Sequence, residues 1–257
     1  ITAVDARTTE TVDASAVTKV SGTSGEIDAF LAADVTRPSN YDITASGTLS
    51  ASKVNEYVTA SGSGVVTANV SDTAANAKTL TSGGTDQINL VIANDTGATA
   101  AADLNAVDAK TAVKLDATLV TSISGSASDL AALEAAVTAT PGTVDLKADV
   151  AVEASDGASV SLINDLAAMT AGVVTATASS NAFADFSGLS SASTDKITIQ
   201  LTDASLNAVD LFATGGGGDS GLATKTGELL DLTGVAEIKG TVLELKTLIG
   251  KEASEVS

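Results

Sequence analysis

The chain has 257 residues, 44% of them hydrophobic, which is enough to bury a real core and argues against disorder. That hydrophobic content is almost all Ala, Val, Leu and Ile, with four Phe, two Tyr, one Met and no Trp, and it points to the thin, regular interior of a repeat protein. A net charge of −19 sets the chain against nucleic acid and anionic membrane surfaces, while the absence of His and Cys rules out disulfides, Ser-His-Asp and Cys-His catalysis, and histidine- or cysteine-based zinc sites.

From the N-terminus, short β-branched runs begin near Val12, Tyr41, Val65, Ile88, Val113, Val144, Val173, Ile197 and Leu229, and each passes into an Ala- and Leu-rich stretch with helical spacing. A run such as Ile197-Thr198-Ile199-Gln200-Leu201 alternates apolar and polar, as a strand does when one face packs inward and the other meets water. The stretch from Ser126 to Val137 sets Leu130, Leu133 and Val137 on one helical face. Thr23 followed by Glu26, and Ser126 followed by Asp129, predict a capping box and its Asp variant. Glycines at 62, 64, 83, 84, 142, 172 and 215–218 are expected to close helices and launch the next strand. Pro38 and Pro141 fall in turns after helical stretches, where a missing N–H does no harm. The first, fifth and ninth runs carry a second strand-like piece, such as Leu119 to Ile123.

Internal repeats organise these pieces. Ala3 to Phe30 aligns without a gap on Ala106 to Leu133, an offset of 103 residues, and a third copy starts at Glu228 with Gly22, Gly125 and Gly240 in register. GVVTANVSD from Gly64 answers GVVTATASS from Gly172, and DQINLVIAND from Asp86 answers DKITIQLTD from Asp195. The expectation is an α/β solenoid of about nine stacked strand-turn-helix coils with a parallel sheet and right-handed crossovers. Four coils make a super-repeat of about 103–115 residues. One solenoid then spans 1–257, with super-repeats at about 1–105 and 106–227 and a partial third at 228–257. Coils spaced at about 4.8 Å would give a rod of roughly 40 Å.

Asp86 and Asp195 precede equivalent strands, and Asp95 and Asp203 follow them. These recurring turn carboxylates are the candidate ligands for calcium, the kind of cation an acidic surface attracts. An Asp that bonds its own turn backbone accounts for the same positions. The run Gly215–Gly221, GGGGDSG, is superficially similar to calcium-binding nonapeptide turns, but it occurs once and reads as a loop. No Lys follows a Gly-x-x-x-x-Gly spacing with Ser or Thr behind it, so no phosphate loop is expected. Paired carboxylates could cleave a polysaccharide, but such grooves add aromatic platforms and basic residues, and the chain offers only Tyr41, Tyr57, Arg7 and Arg37 beside its scattered Lys. No enzyme activity is expected. Thr-x-Thr does not recur strictly from coil to coil, which argues against a flat Thr array matched to ice or a saccharide.

At its GVVTA strand starts and its SGT/SGS-x-x-(D/E)-(I/L) helix starts, the chain resembles tandem repeats of very large surface or secreted proteins of bacteria, notably marine cyanobacteria, and repeats in fibre proteins of their phages. The resemblance covers nearly the full length through motifs of low information. It implies an acidic, extracellular fibre or adhesin stalk with calcium as a stabilising ion, and it brings no catalytic residues. The expected function is a non-catalytic structural segment of a filament, stalk or surface fibre. The alternative is an adhesin or phage-fibre module that binds glycan or a cell-surface receptor along one face. A stalk should be uniform, whereas a receptor-binding segment should break its own repeat with an aromatic or charged patch. The chain starts within a repeat without Met and ends without an evident polar cap, so it reads as an excised piece whose expected partners are flanking repeats or other copies, end to end. No apolar run approaches about 18 residues, so no membrane insertion is expected.

Overall fold

A computed structural model describes residues 3, 7–83, 85–111, 113–211 and 221–242. In chain order the strands are β1 (Val12–Asp13), β2 (Lys19–Thr23), β3 (Val35–Thr36), β4 (Asp42–Leu49), β5 (Val66–Asp72), β6 (Gln87–Ile92), β7 (Thr99–Ala100) and β8 (Leu115–Ala117). They continue with β9 (Ser122–Gly125), β10 (Val144–Leu146), β11 (Ala151–Ala158), β12 (Val174–Ala178), β13 (Lys196–Gln200), β14 (Leu206–Asn207), β15 (Leu230–Asp231) and β16 (Ile238–Lys239). The helices are α1 (Ser24–Ala32), α2 (Ala51–Ser61), α3 (Ala74–Ala77), α4 (Ala101–Asp108), α5 (Ala127–Thr138), α6 (Val160–Met169) and α7 (Ala208–Leu211).

Two compact units result, one from Ile1–Val120 with Ala139–Leu146, the other from Thr121–Thr138 with Lys147–Ser257. In the first unit β2, β4, β5, β6, β8 and β10 pair in that order, every pair parallel, and β1 pairs β3 in the same sense. In the second, β9, β11, β12, β13 and β15 pair in order, again parallel, as do β14 and β16. The fold class is therefore mixed α/β with parallel sheets. Parallel neighbours need a crossover between them, which α1 to α4 supply in the first unit and α5 and α6 in the second.

Alternation decides which residues go inside. Ile43, Ala45, Val66, Ala68, Val70, Ile88, Leu90 and Ile92 are buried on one side of the first sheet, under Ile27, Phe30, Val54 and Tyr57 from its helices. In the second unit Ile123, Val152, Val174, Ala176, Ile197 and Ile199 lie in the core with Leu130, Leu133, Ile163 and Leu166. Full burial of such side chains is worth about 1.5–3 kcal/mol each, so aliphatics carry most of the driving force. Close stacking needs bare backbone at two matched turns. A Cβ on Gly64 would fall on the carbonyl of Tyr41, and one on Gly172 on the carbonyl of Val150.

Each of the nine expected strand starts lies within two residues of an observed strand. Second strands are commoner than the sequence reading allowed: β3 precedes the strand expected near Tyr41, which is β4, and β11 follows the one expected near Val144, with β4 and β11 the longest at eight residues each. β11 reads Ala-Val-Glu-Ala-Ser-Asp-Gly-Ala, poor in strand formers, and is held by neighbours on both sides. Some helical stretches are also shorter than expected. α3 and α7 have four residues each, and Phe183–Phe186 makes a single 3-10 turn.

Candidate functional site

Asp86 and Asp195 occupy the same place in two copies of one turn. The backbone N–H of Asp86 donates to the carbonyl of Gly83, and its Oδ2 accepts the N–H of Gly83 at 2.7 Å. Its Oδ1 accepts the N–H of Val66, the first residue of the neighbouring strand, at 2.8 Å. Asp195 repeats the pattern with Ala192 at 2.8 Å and Val174 at 2.9 Å. Both carboxylates are buried, at 9% and 3% exposure, and each oxygen has a backbone donor, which is how a buried charge is made affordable.

Asp95 and Asp203 do not share a role. Oδ2 of Asp95 accepts the hydroxyl of the buried Thr99 at 3.3 Å, whereas Oδ2 of Asp203 accepts the N–H of Phe183 at 2.9 Å. Asp86 and Asp95 stand at opposite ends of β6, and Asp195 and Asp203 at opposite ends of β13, roughly 20 Å apart along an extended strand. Among the described residues no group of three or more Asp or Glu side chains converges as a metal would require. All but the last residue of the Gly215–Gly221 run lies outside the described residues.

The repeated chemistry lies in ties between successive turns of the chain, several of which the sequence reading passed over. Thr8, Thr111 and Thr226 each accept the N–H two residues on through the hydroxyl, at 3.0 Å in all three copies. Thr111 and Thr226 also donate to the carbonyls of Ile88 and Ile197 in the preceding strand. Five residues after each Thr stands Asp13, Asp116 or Asp231, whose Oδ1 accepts the N–H of Ser15, Thr118 or Thr233. Hydrogen bonds from Ser15 hold the Asp13 carboxyl below its ordinary range, and bonds from Thr233 do the same for Asp231.

Helices contribute a second tie. Asn55 on α2 donates to the carbonyl of Thr79 and accepts the N–H of Thr81, and Asn164 on α6 does the same with Gly188 and Ser190. Helix starts contribute a third, since Asp72 accepts the N–H of Ala51, Asp156 that of Ala127, and Asp203 that of Phe183, each a first-turn donor with no partner inside its own helix. The caps expected from sequence are present. Thr23 and Glu26 form a full capping box that holds the Glu26 carboxyl low, and Ser126 accepts the N–H of Asp129 at 3.1 Å. A visible signal for the first tie was the repeat alignment, which puts Thr111 on Thr8.

The repeat is broken in the first unit. The Tyr57 hydroxyl donates to Asp28 at 3.0 Å and lies 3.1 Å from the carbonyl of Ser24, while Lys53 pairs with Asp28 and Glu56 over the Tyr57 ring. Burial, then the bond to Asp28, pushes the Tyr57 phenol up to about 12. Phe30 and Tyr41 meet edge to face at 5.9 Å between centroids, and Arg37 lies over Phe30 while donating to the carbonyls of Phe30 and Ala33.

No helix among the described residues is long and apolar enough to cross a membrane. Comparison with protein-family models, with curated proteins and with solved structures gave no match.

Proposed function

We propose that the chain is a non-catalytic structural repeat segment, an α/β solenoid of about nine strand-turn-helix coils, that gives length and stiffness to an extracellular filament, stalk or surface fibre. One observation carries this reading. The same side chains tie one turn to the next at the same super-repeat positions: Thr111 and Thr226, Asn55 and Asn164, Asp86 and Asp195. Polar groups that could have served chemistry are used to satisfy backbone donors and acceptors between turns, as a stack of nearest-neighbour units requires. The aromatics that break the repeat, Phe30, Tyr41 and Tyr57, are 5%, 4% and 0% exposed, so they fill the interior rather than offering a receptor a surface anchor. An extracellular setting rests on the acidic, cysteine-free composition and on the resemblance to bacterial surface repeats. Flanking repeats or other copies, joined end to end, are the partners of such a segment.

Electron microscopy of the purified protein with calcium and then with chelator tests the proposal through particle length. Long uniform filaments support it, and their shortening on chelation would assign calcium a part. Short single rods in both conditions would overturn the filament and favour a module that binds along its side.

A further inference from the structure

One repeat motif occurs three times with different surroundings. Among the described residues β1 and β2 pair on one side only, with β3 and β4, and β15 and β16 pair on one side only, with β13 and β14. Their middle copies, β8 and β9, have neighbours on both sides. The side chains record the difference. Leu115, Val120 and Ile123 of the middle copy are 0%, 0% and 1% exposed, whereas Val12, Val17 and Val20 at the same places in the first copy, and Val235 and Ile238 in the third, are only half-buried. Thr8 likewise has no acceptor for its hydroxyl among the described residues, while Thr111 and Thr226 donate to the strand before them. Register adds a second observation. Val12 pairs Val35 and Val20 pairs Ile43, and in the second unit Leu115 pairs Val144 and Ile123 pairs Val152. Every one of these strand pairs therefore steps by eight residues, 12 to 20, 35 to 43, 115 to 123 and 144 to 152, and 230 to 238 in β15 and β16 is the same step.

We infer that β1 and β2 of one copy of this chain add to β15 and β16 of a second, parallel, with Val12 beside Leu230 and Val20 beside Ile238. The inference rests on the end-to-end reading above and names its contact. A second copy is the occupant because both edges must be met at once by strands with the same step. Of the five strand pairs that have it, only β1–β2 and β15–β16 keep a free edge on both strands. The joint repeats in both strands the register that β8 and β9 make with β10 and β11, and it buries Val17 and Val20 against Val235 and Ile238 as the middle copy is buried. Unpaired N–H and C=O groups along the four edges gain partners in the same step. Continued by one residue, the register sets Glu237 beside Lys19, opposite charges, and Asp231 beside Asp13, like charges of the kind that already face each other at Asp116 and Asp145. The two edges are unlike, so a joined pair still offers one of each, and the contact propagates instead of closing.

The chain has no Cys, so single cysteines report the contact. Lys19→Cys and Glu237→Cys, both at exposed positions, are made in separate full-length chains, mixed, and treated with a short bifunctional maleimide. We expect a cross-linked pair from the mixture and none from either variant alone. Sedimentation of charge variants gives an independent measure. Lys19→Glu should weaken association about tenfold, because one attractive pair is replaced by a repulsive one, and Glu237→Lys in the same chain should restore it. A variant that merely loosened the fold would not be rescued by a substitution so far along the chain. No cross-link in the mixture, cross-links as strong in each variant alone, or no recovery with Glu237→Lys overturns the joint. Filaments that form without the cross-link would leave the structural reading standing and this contact wrong. Cross-linked pairs whose particles never lengthen in the microscope would support the contact and overturn the filament.

Discussion

The stretch from β2 to α2 and its counterpart from β9 to α6 build the same elements around different interiors. Where the first has Asp28, Phe30, Arg37, Tyr41, Lys53 and Tyr57, the second has Ala131, Leu133, Leu146, Val150, Leu162 and Leu166. The aromatic version needs polar partners, because the Tyr57 hydroxyl at 0% exposure must have an acceptor, and Asp28 supplies one. Leu166, also buried, needs none. The frame does not change between them. Ser50 and Ser159 cap the second helix of each stretch, and Asn55 and Asn164 clamp the loop beyond it. Turn chemistry fixes the stacking, and the filling between turns is free to vary if its volume and its hydrogen bonds are met.

The largest effect should come from breaking what the two units share. Asp86→Ala and Asp195→Ala each leave two backbone N–H groups without acceptors, one at a buried strand start, and should cost about 3 kcal/mol. Urea denaturation with hydrogen exchange read in each unit checks this. Equal losses confirm a common frame, and a silent substitution in one unit would mean that the turn is held there by something else.

Exchanging the fillings should cost less. Leu166→Tyr brings a ring and a hydroxyl to a site where Ala131 stands in place of Asp28, and should destabilise the second unit by about 2 kcal/mol through overpacking and an unmet donor. Adding Ala131→Asp should recover part of that loss, whereas the same Asp alone should gain nothing. If the double variant is no better than Leu166→Tyr, the aromatic interior depends on more than this pair, with Lys53 and Arg37 as the next candidates.

Much of this frame was legible in the sequence. Ungapped alignment of Ala3–Phe30 on Ala106–Leu133 set strands, caps and helices in register because each repeat solves the same local problem with the same residues. Asp86 and Asp195 stood out as a repeated turn pair, and they proved to hold backbone. Two things were less visible. β11 has little strand propensity of its own and is made by β9 and β12, a tertiary effect that no local pattern carries. Asp72, Asp156 and Asp203 look like surface acids late in a strand or just beyond one, and their acceptor role appears only when the helix start of the turn before comes within reach.

The smallest effect separates the units by pH. Both tyrosines lie in the first unit, and the Tyr57 phenol is raised from the model-compound value of 10 to about 12 by burial and by Asp28. In the unfolded chain the phenol ionises first, so the contribution of neutral Tyr57 is fully present below pH 10 and drains away as pH climbs toward about 12. By about pH 11 the loss should be about 1 kcal/mol. Tyr57→Leu, which copies Leu166, should remove most of the alkaline decline while leaving Tyr41 to contribute the remainder, since burial raises that phenol as well. Hydrogen exchange at alkaline pH should speed up first in α2 and β4, with α6 and β11 unaffected over the same range. A decline that is equal in both units, or that survives Tyr57→Leu unchanged, would mean that general charge repulsion in this acidic chain outweighs the buried phenol.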